Sequence, residues 1–342
     1  MRATSQREAP GTGASESSSG RATGPGTGST RGRRTHDGYR HEAFLWRGNE
    51  EFLAGTVPFV REGLAAGQPV MAAVTPARIQ LLAGALGDDA DLVEFVDMTR
   101  LGANPARIIP AWRRFTEQHA AAGRAVRGIG EPIWHGRRPV EVAECQLHEA
   151  LLNMAVEPDT PLWLLCPYDV VALPADVVAE AHRSHPVVVD VERHRGSSCY
   201  GGAHHVGAMF EADLPVVEVA VSHRVFGPRE LGVVREDVTA HALSAGLPQD
   251  RSADLALAVH EVVVNSVEHG GGRGELRIWQ EDRALVCEVR GGGRIADPMA
   301  GRRAPADDAE GGRGLWMANQ LCDLVQIRSA PGGTTVRIHS WL

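Results

Sequence analysis

The residues best suited to chemistry lie in the segment QDRSADLALAVHEVVVNSVEHGGG, around positions 250–269. Its apolar residues Leu255, Val259, Val262, Val263 and Val267 recur at helical spacing, so this face should pack on a sheet. Glu261, Asn265 and the Glu268–His269 pair recur at i, i+4 and i+7/8 and share another face. A carboxylate and a carboxamide four residues apart suit a site where Asn holds Mg²⁺ through its carbonyl and Glu takes a proton from a nucleophile. An amphipathic helix with solvated polar groups would show the same spacing. Two glycine-rich stretches further along add context. EVRGGGRIADP (288–298) holds Gly291, Gly292 and Gly293, and GGRGLWMANQLCD (311–323) places Gly311, Gly312 and Gly314 where a helix should begin. Backbone N–H groups at a helix N-terminus bind phosphate, and glycine lets the phosphate come close.

Other candidates are weaker. Cys199, His204 and His205 fall in a Gly- and His-rich stretch without the paired spacing of a zinc site. His41, Trp46, Trp134 and His148 are candidates for lining a small-molecule pocket, although packed or capping roles suit each of them better.

These residues need two kinds of scaffold. From 41 to 192, apolar runs at 44–46, 69–75, 92–98, 125–131, 161–170 and 186–190 alternate with helical segments near 50–66, 77–86, 104–122, 139–155 and 174–184. Strands that are apolar throughout imply a parallel sheet covered on both faces. Ligands of such sheets sit at the strands' carboxyl ends, here Arg47, Thr75, Asp97, Glu131 and Tyr168. Residues 193–220 read as a linker. From 221 onward come a strand, helices over 229–245 and 250–269, a hairpin turning at Glu281–Asp282, a glycine loop, a helix from 314 and two final strands. That order is an α+β sandwich. Residues 1–40 are rich in Gly, Ser and Thr, carry seven Arg against three acids, and read as a disordered basic tail.

Composition removes several classes. All 35 basic residues are Arg, so a P-loop NTPase, a pyridoxal-phosphate Schiff-base enzyme and a eukaryotic-type protein kinase are excluded. A net charge of −8 argues against a protein that wraps nucleic acid, and no direct DNA contact is expected. Five dispersed cysteines read as reduced thiols. With no membrane-length apolar run and no signal peptide, the sequence predicts a soluble, cytoplasmic protein.

In order, a helix with Glu and Asn, a hairpin, a glycine turn and a second glycine loop before a helix resemble the GHKL ATPase superfamily. Within it, residues 222–342 are most similar to the anti-sigma-factor serine kinases. The resemblance implies a Bergerat α+β fold that binds ATP and Mg²⁺. It makes Glu261 the catalytic base and Asn265 the Mg²⁺ ligand, with His269 closing the same helix. Gly291 and Gly293 fall in the first glycine box. Gly312, Arg313, Gly314 and Leu315 match the second, around the phosphates, where Arg313 can offset charge in place of a lysine. Thr334 and Thr335 match the final strand motif near the adenine. One position departs: the first box should open with an Asp that reads the adenine amino group, and Gly291 stands there, with Asp297 too far along to replace it.

Residues 41–192 look like the MEDS sensory domain, carried by GIGEPIWHG (128–136) and by the helix with Glu149 and Asn153. This implies a RecA-like α/β fold that senses a small molecule. The implied partners are a sigma factor and an anti-anti-sigma (STAS-type) protein, phosphorylated on Ser or Thr; a homodimer is compatible with both. Two readings stay open: a kinase of an anti-sigma switch, or a non-catalytic GHKL binding module. A sensor histidine kinase is disfavoured, because 193–221 is too short and glycine-rich for two long helices. Size excludes the larger GHKL machines.

Overall fold

Strands that are apolar at every position must be covered on both faces, and strands of alternating character need cover on only one. The chain uses both solutions. A computed structural model describes residues 38–120, 123–217, 222–305 and 312–342. The expected tail lies outside the described residues as far as position 37, as does Gly311.

The N-terminal half runs β1 (Arg40–Trp46), α1 (Gly48–Ala65), β2 (Val70–Val74), α2 (Pro76–Leu86), β3 (Val93–Asp97), α3 (Met98–Leu101) and α4 (Ile108–Ala120). It continues with β4 (Val126–Gly130), α5 (Pro139–Ala155), β5 (Leu162–Asp169), α6 (Ala175–Ser184) and β6 (Val187–Val189). The strands β3-β2-β4-β5-β1-β6 lie side by side and all pair in parallel. Both β2 and β4 are buried along their whole length. One face of the sheet packs Phe44, Trp46, Ile129 and Leu165 against Phe52, Val60 and Leu82 of α1 and α2. The other packs Ala43, Leu164, Cys166 and Tyr168 against Trp112, Leu147, Leu151 and Val177 of α4, α5 and α6.

The stretch expected to be a plain linker contains two further elements. β7 (His194–Gly196) pairs antiparallel with β6 at the sheet edge, and α7 (Gly202–Glu211) follows. α7 buries Val206 in the N-terminal core and Phe210 in the C-terminal one. Two apolar residues four apart give α7 a single buried stripe, too short for periodicity to reveal it beside so many glycines.

The C-terminal half comprises β8 (Ser222–Phe226), α8 (Leu231–Ser244), α9 (Gln249–His269), β9 (Gly274–Glu281), β10 (Ala284–Gly291), α10 (Arg313–Leu321), β11 (Leu324–Ala330) and β12 (Gly333–Trp341). Its sheet is antiparallel in the order β11-β12-β10-β9-β8. The hairpin turns one residue later than expected, at Asp282–Arg283, both with positive φ, as a two-residue hairpin loop requires. Leu255, Val259, Val262 and Val263 of α9 pack on Ile278, Cys287, Val289 and Ile338 of the sheet. This is the layer that the apolar spacing of 250–269 predicts. No helix among the described residues is long and apolar enough to cross a membrane.

Candidate functional site

The apolar stripe of α9 fixes its rotation on the sheet. That rotation turns Glu261 and Asn265, both half-buried, toward the start of α10. The two helices meet at Gly314: a Cβ there would lie 2.9 Å from Asn265 Nδ2 and 3.1 Å from Glu261 Oε2. Only hydrogen fits between them. The α10 N-terminus therefore stands against a carboxylate and a carboxamide. Its N-cap, Gly312, has φ +73°, a left-handed conformation natural to glycine.

A cavity of about 360 Å³ opens beside this junction. Its lining includes Asn265, His269, Gly291, Gly293, Gly312, Leu315 and Thr334, all singled out from the sequence. The volume falls in the range typical of small-molecule sites. Glu261 and Gly314 form the helix junction and do not line the cavity. Arg313 is exposed at the first position of α10. Thr335 sits off the cavity: Thr334 and Val336 line it, and a strand turns the residue between them to the opposite face. Asp297 is also away from it, with Oδ1 accepting from the Met299 amide at 2.9 Å and Oδ2 from Arg303 at 2.8 Å. The cavity thus has no carboxylate at position 291 and none from Asp297.

Sequence reasoning missed the groups that hold the glycine turn in place. Thr334 donates its hydroxyl proton to the Gly293 carbonyl at 2.7 Å. Ser329 must then donate to Thr334 at 2.8 Å, and it accepts from the Ile295 amide at 2.8 Å. The result is a one-way chain from β11 to β12 to the turn, in which each bond polarises the next. A Ser and a Thr five apart on two strands carry no local signal; the sheet register, which pairs Ser329 with Thr334, creates it. Thr334→Val should speed hydrogen exchange at the Ile295 amide about fivefold, the equivalent of about 1 kcal/mol. Unchanged exchange would mean that the turn is held by other contacts. Ser266, Gly270, Arg294, Ile295, Ala300 and Gly301 also line the cavity and were not foreseen either.

The segment that forms one wall of the cavity runs on to the N-terminal half. After Ala300 and Gly301, Arg302 is buried and donates to Glu144 of α5 at 2.9 Å. Glu144 also accepts from Arg328 at 2.6 Å and Gln326 at 3.4 Å. Met299 is buried in the N-terminal core. At the other end of α10, Asn104 and Arg107 supply what the helix lacks. Arg107 donates to the carbonyls of Asn319, Gln320 and Cys322, each at 2.9 Å, and Asn104 donates to the Asn319 carbonyl at 3.1 Å. A cation on the last carbonyls satisfies unpaired acceptors and complements the helix dipole. Asn319 in turn donates to the Gly301 carbonyl at 2.9 Å. One end of α10 is thus capped by the N-terminal half, and the other end faces the cavity.

The expected carboxyl-end residues of the parallel sheet have local partners. Glu131 accepts from the Thr75 amide and hydroxyl, both at 3.1 Å, and burial raises its pKa. Asp97 caps α3 through the Thr99 amide at 2.8 Å. His41, Trp46 and His148 are buried rather than lining a described cavity. Cys199 is exposed, and His205 pairs with Glu180, so these two do not join in a metal set. Burial pushes the Cys145 and Cys322 thiols up to about 12, which rules both out as nucleophiles at neutral pH.

Comparison with known proteins divides the chain in the same way. Residues 40–186 match the MEDS family, the MEthanogen/methylotroph, DcmR Sensory domain. Residues 226–340 match the family of histidine kinase-like ATPase domains. A relative is the serine-protein kinase RsbW of Halalkalibacterium halodurans, 29% identical over 114 residues, which cover 30% of this chain and 70% of that protein.

Proposed function

We propose that this chain, which carries a MEDS sensory domain and a histidine kinase-like ATPase domain, is a protein kinase of an anti-sigma switch. It binds a sigma factor and phosphorylates a Ser or Thr of an anti-anti-sigma protein of the STAS type. The sensory half, with 41–192 as its bounds and a small molecule as its ligand, biases that choice. The observation that carries the reading is the junction of α9 and α10, where Glu261, Asn265 and a glycine-bounded helix N-terminus meet beside a cavity. The likeness to a serine-protein kinase over 114 residues supports it.

The junction fits a phosphate-bearing ligand. The α10 N-cap Gly312 lines the cavity with nothing within 4 Å of where its Cβ would stand, so the backbone there is open to close approach. ATP would supply the phosphoryl group and Mg²⁺ would offset its charge, as in phosphoryl transfer generally. The amides at Gly312, Arg313 and Gly314 would hold phosphate oxygens, with Arg313 adding positive charge. The side-chain oxygen of Asn265 would hold the Mg²⁺. Glu261 takes the proton of the attacking hydroxyl on its carboxylate. Leu315, Thr334 and the turn at Gly291–Gly293 form the base end, closed by His269 at the end of α9. Arg302, bound to Glu144 of α5, and the caps that Asn104 and Arg107 place on α10 connect this cavity to the sensory half and give it a physical hold on the site. Incubation with labelled ATP–Mg²⁺ and candidate antagonist proteins tests the reading: phosphoserine or phosphothreonine on one of them is expected, and its absence from every pairing rejects catalysis.

One observation favours a second reading, a binding module without turnover: the base end lacks the carboxylate that would read an adenine amino group. Restoring it separates the two. Gly291 has an ordinary φ, so Asp is not strained there, but its Cβ would lie 3.0 Å from Ser266 Oγ. Gly291→Asp, paired with Ser266→Gly because the Ser266 Cβ at 3.1 Å crowds the site as well, should tighten ATP about 10–100-fold and create a preference over GTP. That is the worth of one hydrogen bond to a charged group, about 1.5–3 kcal/mol. Calorimetric titration with both nucleotides measures it. No gain in a folded double variant would favour the binding module.

A further inference from the structure

The core of the N-terminal half buries a set of polar side chains that the kinase reading does not use. His41 of β1, Glu149 of α5, Cys166 of β5 and His185, just after α6, are all buried. One donor atom from each lies within 4.8 Å of the other three. His41 Nε2 is 2.9 Å from Glu149 Oε2 and 3.4 Å from Cys166 Sγ. His185 Nε2 is 3.2 Å from the same Glu149 oxygen.

The hydrogen bonds around this set fix which ring nitrogens face inward. His185 Nδ1 donates to the Ala181 carbonyl at 2.9 Å. His41 Nδ1 lies 3.1 Å from Asn153 Oδ1. The Asn153 amide is oriented by its Nδ2, which donates to the Ser184 carbonyl at 2.7 Å, so its oxygen must accept from His41. With Nδ1 as the donor, a neutral form of each imidazole aims an Nε2 without a proton at the same carboxylate. Two lone pairs and a carboxylate converging in a dry core repel one another. Glu149 Oε1 and His185 Nε2 make no hydrogen bond among the described residues, although both are buried. The point where they converge requires a positive charge.

We propose that His41, Glu149, Cys166 and His185 bind a divalent transition-metal ion of the zinc type. Two imidazole nitrogens, a thiolate and a carboxylate make a four-coordinate set of the softness that zinc selects, whereas Mg²⁺ and Ca²⁺ take six or more oxygens. A thiolate and a carboxylate on a dication sum to zero, which removes the main penalty of burying them. Asn153 and the Ala181 carbonyl are the outer partners that metal-binding histidines use to hold their rings. The ion would tie the two central strands β1 and β5 to α5 and α6. The four residues are spread over 145 positions without motif spacing, so nothing local announces them.

Cobalt(II) on the metal-stripped full chain tests this. The chain should take up one equivalent, with the strong visible bands of a tetrahedral site and a thiolate-to-cobalt charge-transfer band. Cys166→Ser should abolish the charge-transfer band, and Cys199→Ser, at the exposed thiol, should keep it. His185→Gln should weaken uptake by about 10–100-fold or more. X-ray absorption of the zinc-loaded wild type covers the case in which a variant fails to fold: one sulfur near 2.3 Å and nitrogen or oxygen near 2.0–2.1 Å are expected. No cobalt uptake, a band that follows Cys199 instead of Cys166, or zinc without a sulfur neighbour would overturn the proposal.

Discussion

Glu261→Gln should lower phosphoryl transfer about 10²–10⁴-fold, the usual loss when one positioned base is removed, and leave ATP binding nearly unchanged. Gln has the same shape, so the packing of Glu261 against Gly314 survives and the α9–α10 junction keeps its geometry. Only the ability to take a proton is removed. Single-turnover transfer from labelled ATP to the antagonist protein, with affinity measured separately, distinguishes the outcomes. Wild-type rates in the variant would reject Glu261 as the base. A parallel loss of affinity would assign it to binding instead. Sigma-factor binding should persist, since it needs a surface rather than proton transfer.

The second large effect is expected at Glu144. This buried carboxylate holds Arg302, Arg328 and Gln326 of the other half of the chain. Glu144→Ala would leave two guanidinium groups facing each other in a nearly dry interface, and burial already lowers the Arg302 pKa. Breaking a buried pair from one side costs about 3–5 kcal/mol. Urea unfolding of Glu144→Ala should show a loss of that size, and Glu144→Gln, which keeps one acceptor, a smaller one. A loss below about 1 kcal/mol in the Ala variant would mean that the halves do not meet through Glu144 in solution. Arg302 follows directly on cavity residues Ala300 and Gly301, so nucleotide affinity should fall in the same variant.

Much of the architecture was legible because its signals are local. The mostly apolar runs at 69–75 and 125–131 became β2 and β4, buried along their length, since such runs are stable only between two layers. The helical stripe from Leu255 to Val263 placed α9 on its sheet, and the same 3.6-residue period put Glu261 and Asn265 on one side. Glycines at 312 and 314 marked a helix start that accepts close neighbours. Each of these inferences needs only residues within a turn or two of one another.

The remaining features depend on residues that the chain brings together from far apart. Ser329 and Thr334 hold the glycine turn because the β11–β12 register sets them opposite each other. Thr335, adjacent in sequence, is turned away by the alternation of the strand. α7 escaped notice because its two anchors, Val206 and Phe210, belong to different cores. Arg107 and Asn104 cap a helix more than 200 positions away, and Glu144 meets Arg302 only when both halves are folded. Periodicity records which face of an element is apolar. Which distant carboxylate, amide or imidazole meets that face depends on how the elements pack, and packing is set by the summed burial of many side chains rather than by the spacing of any few.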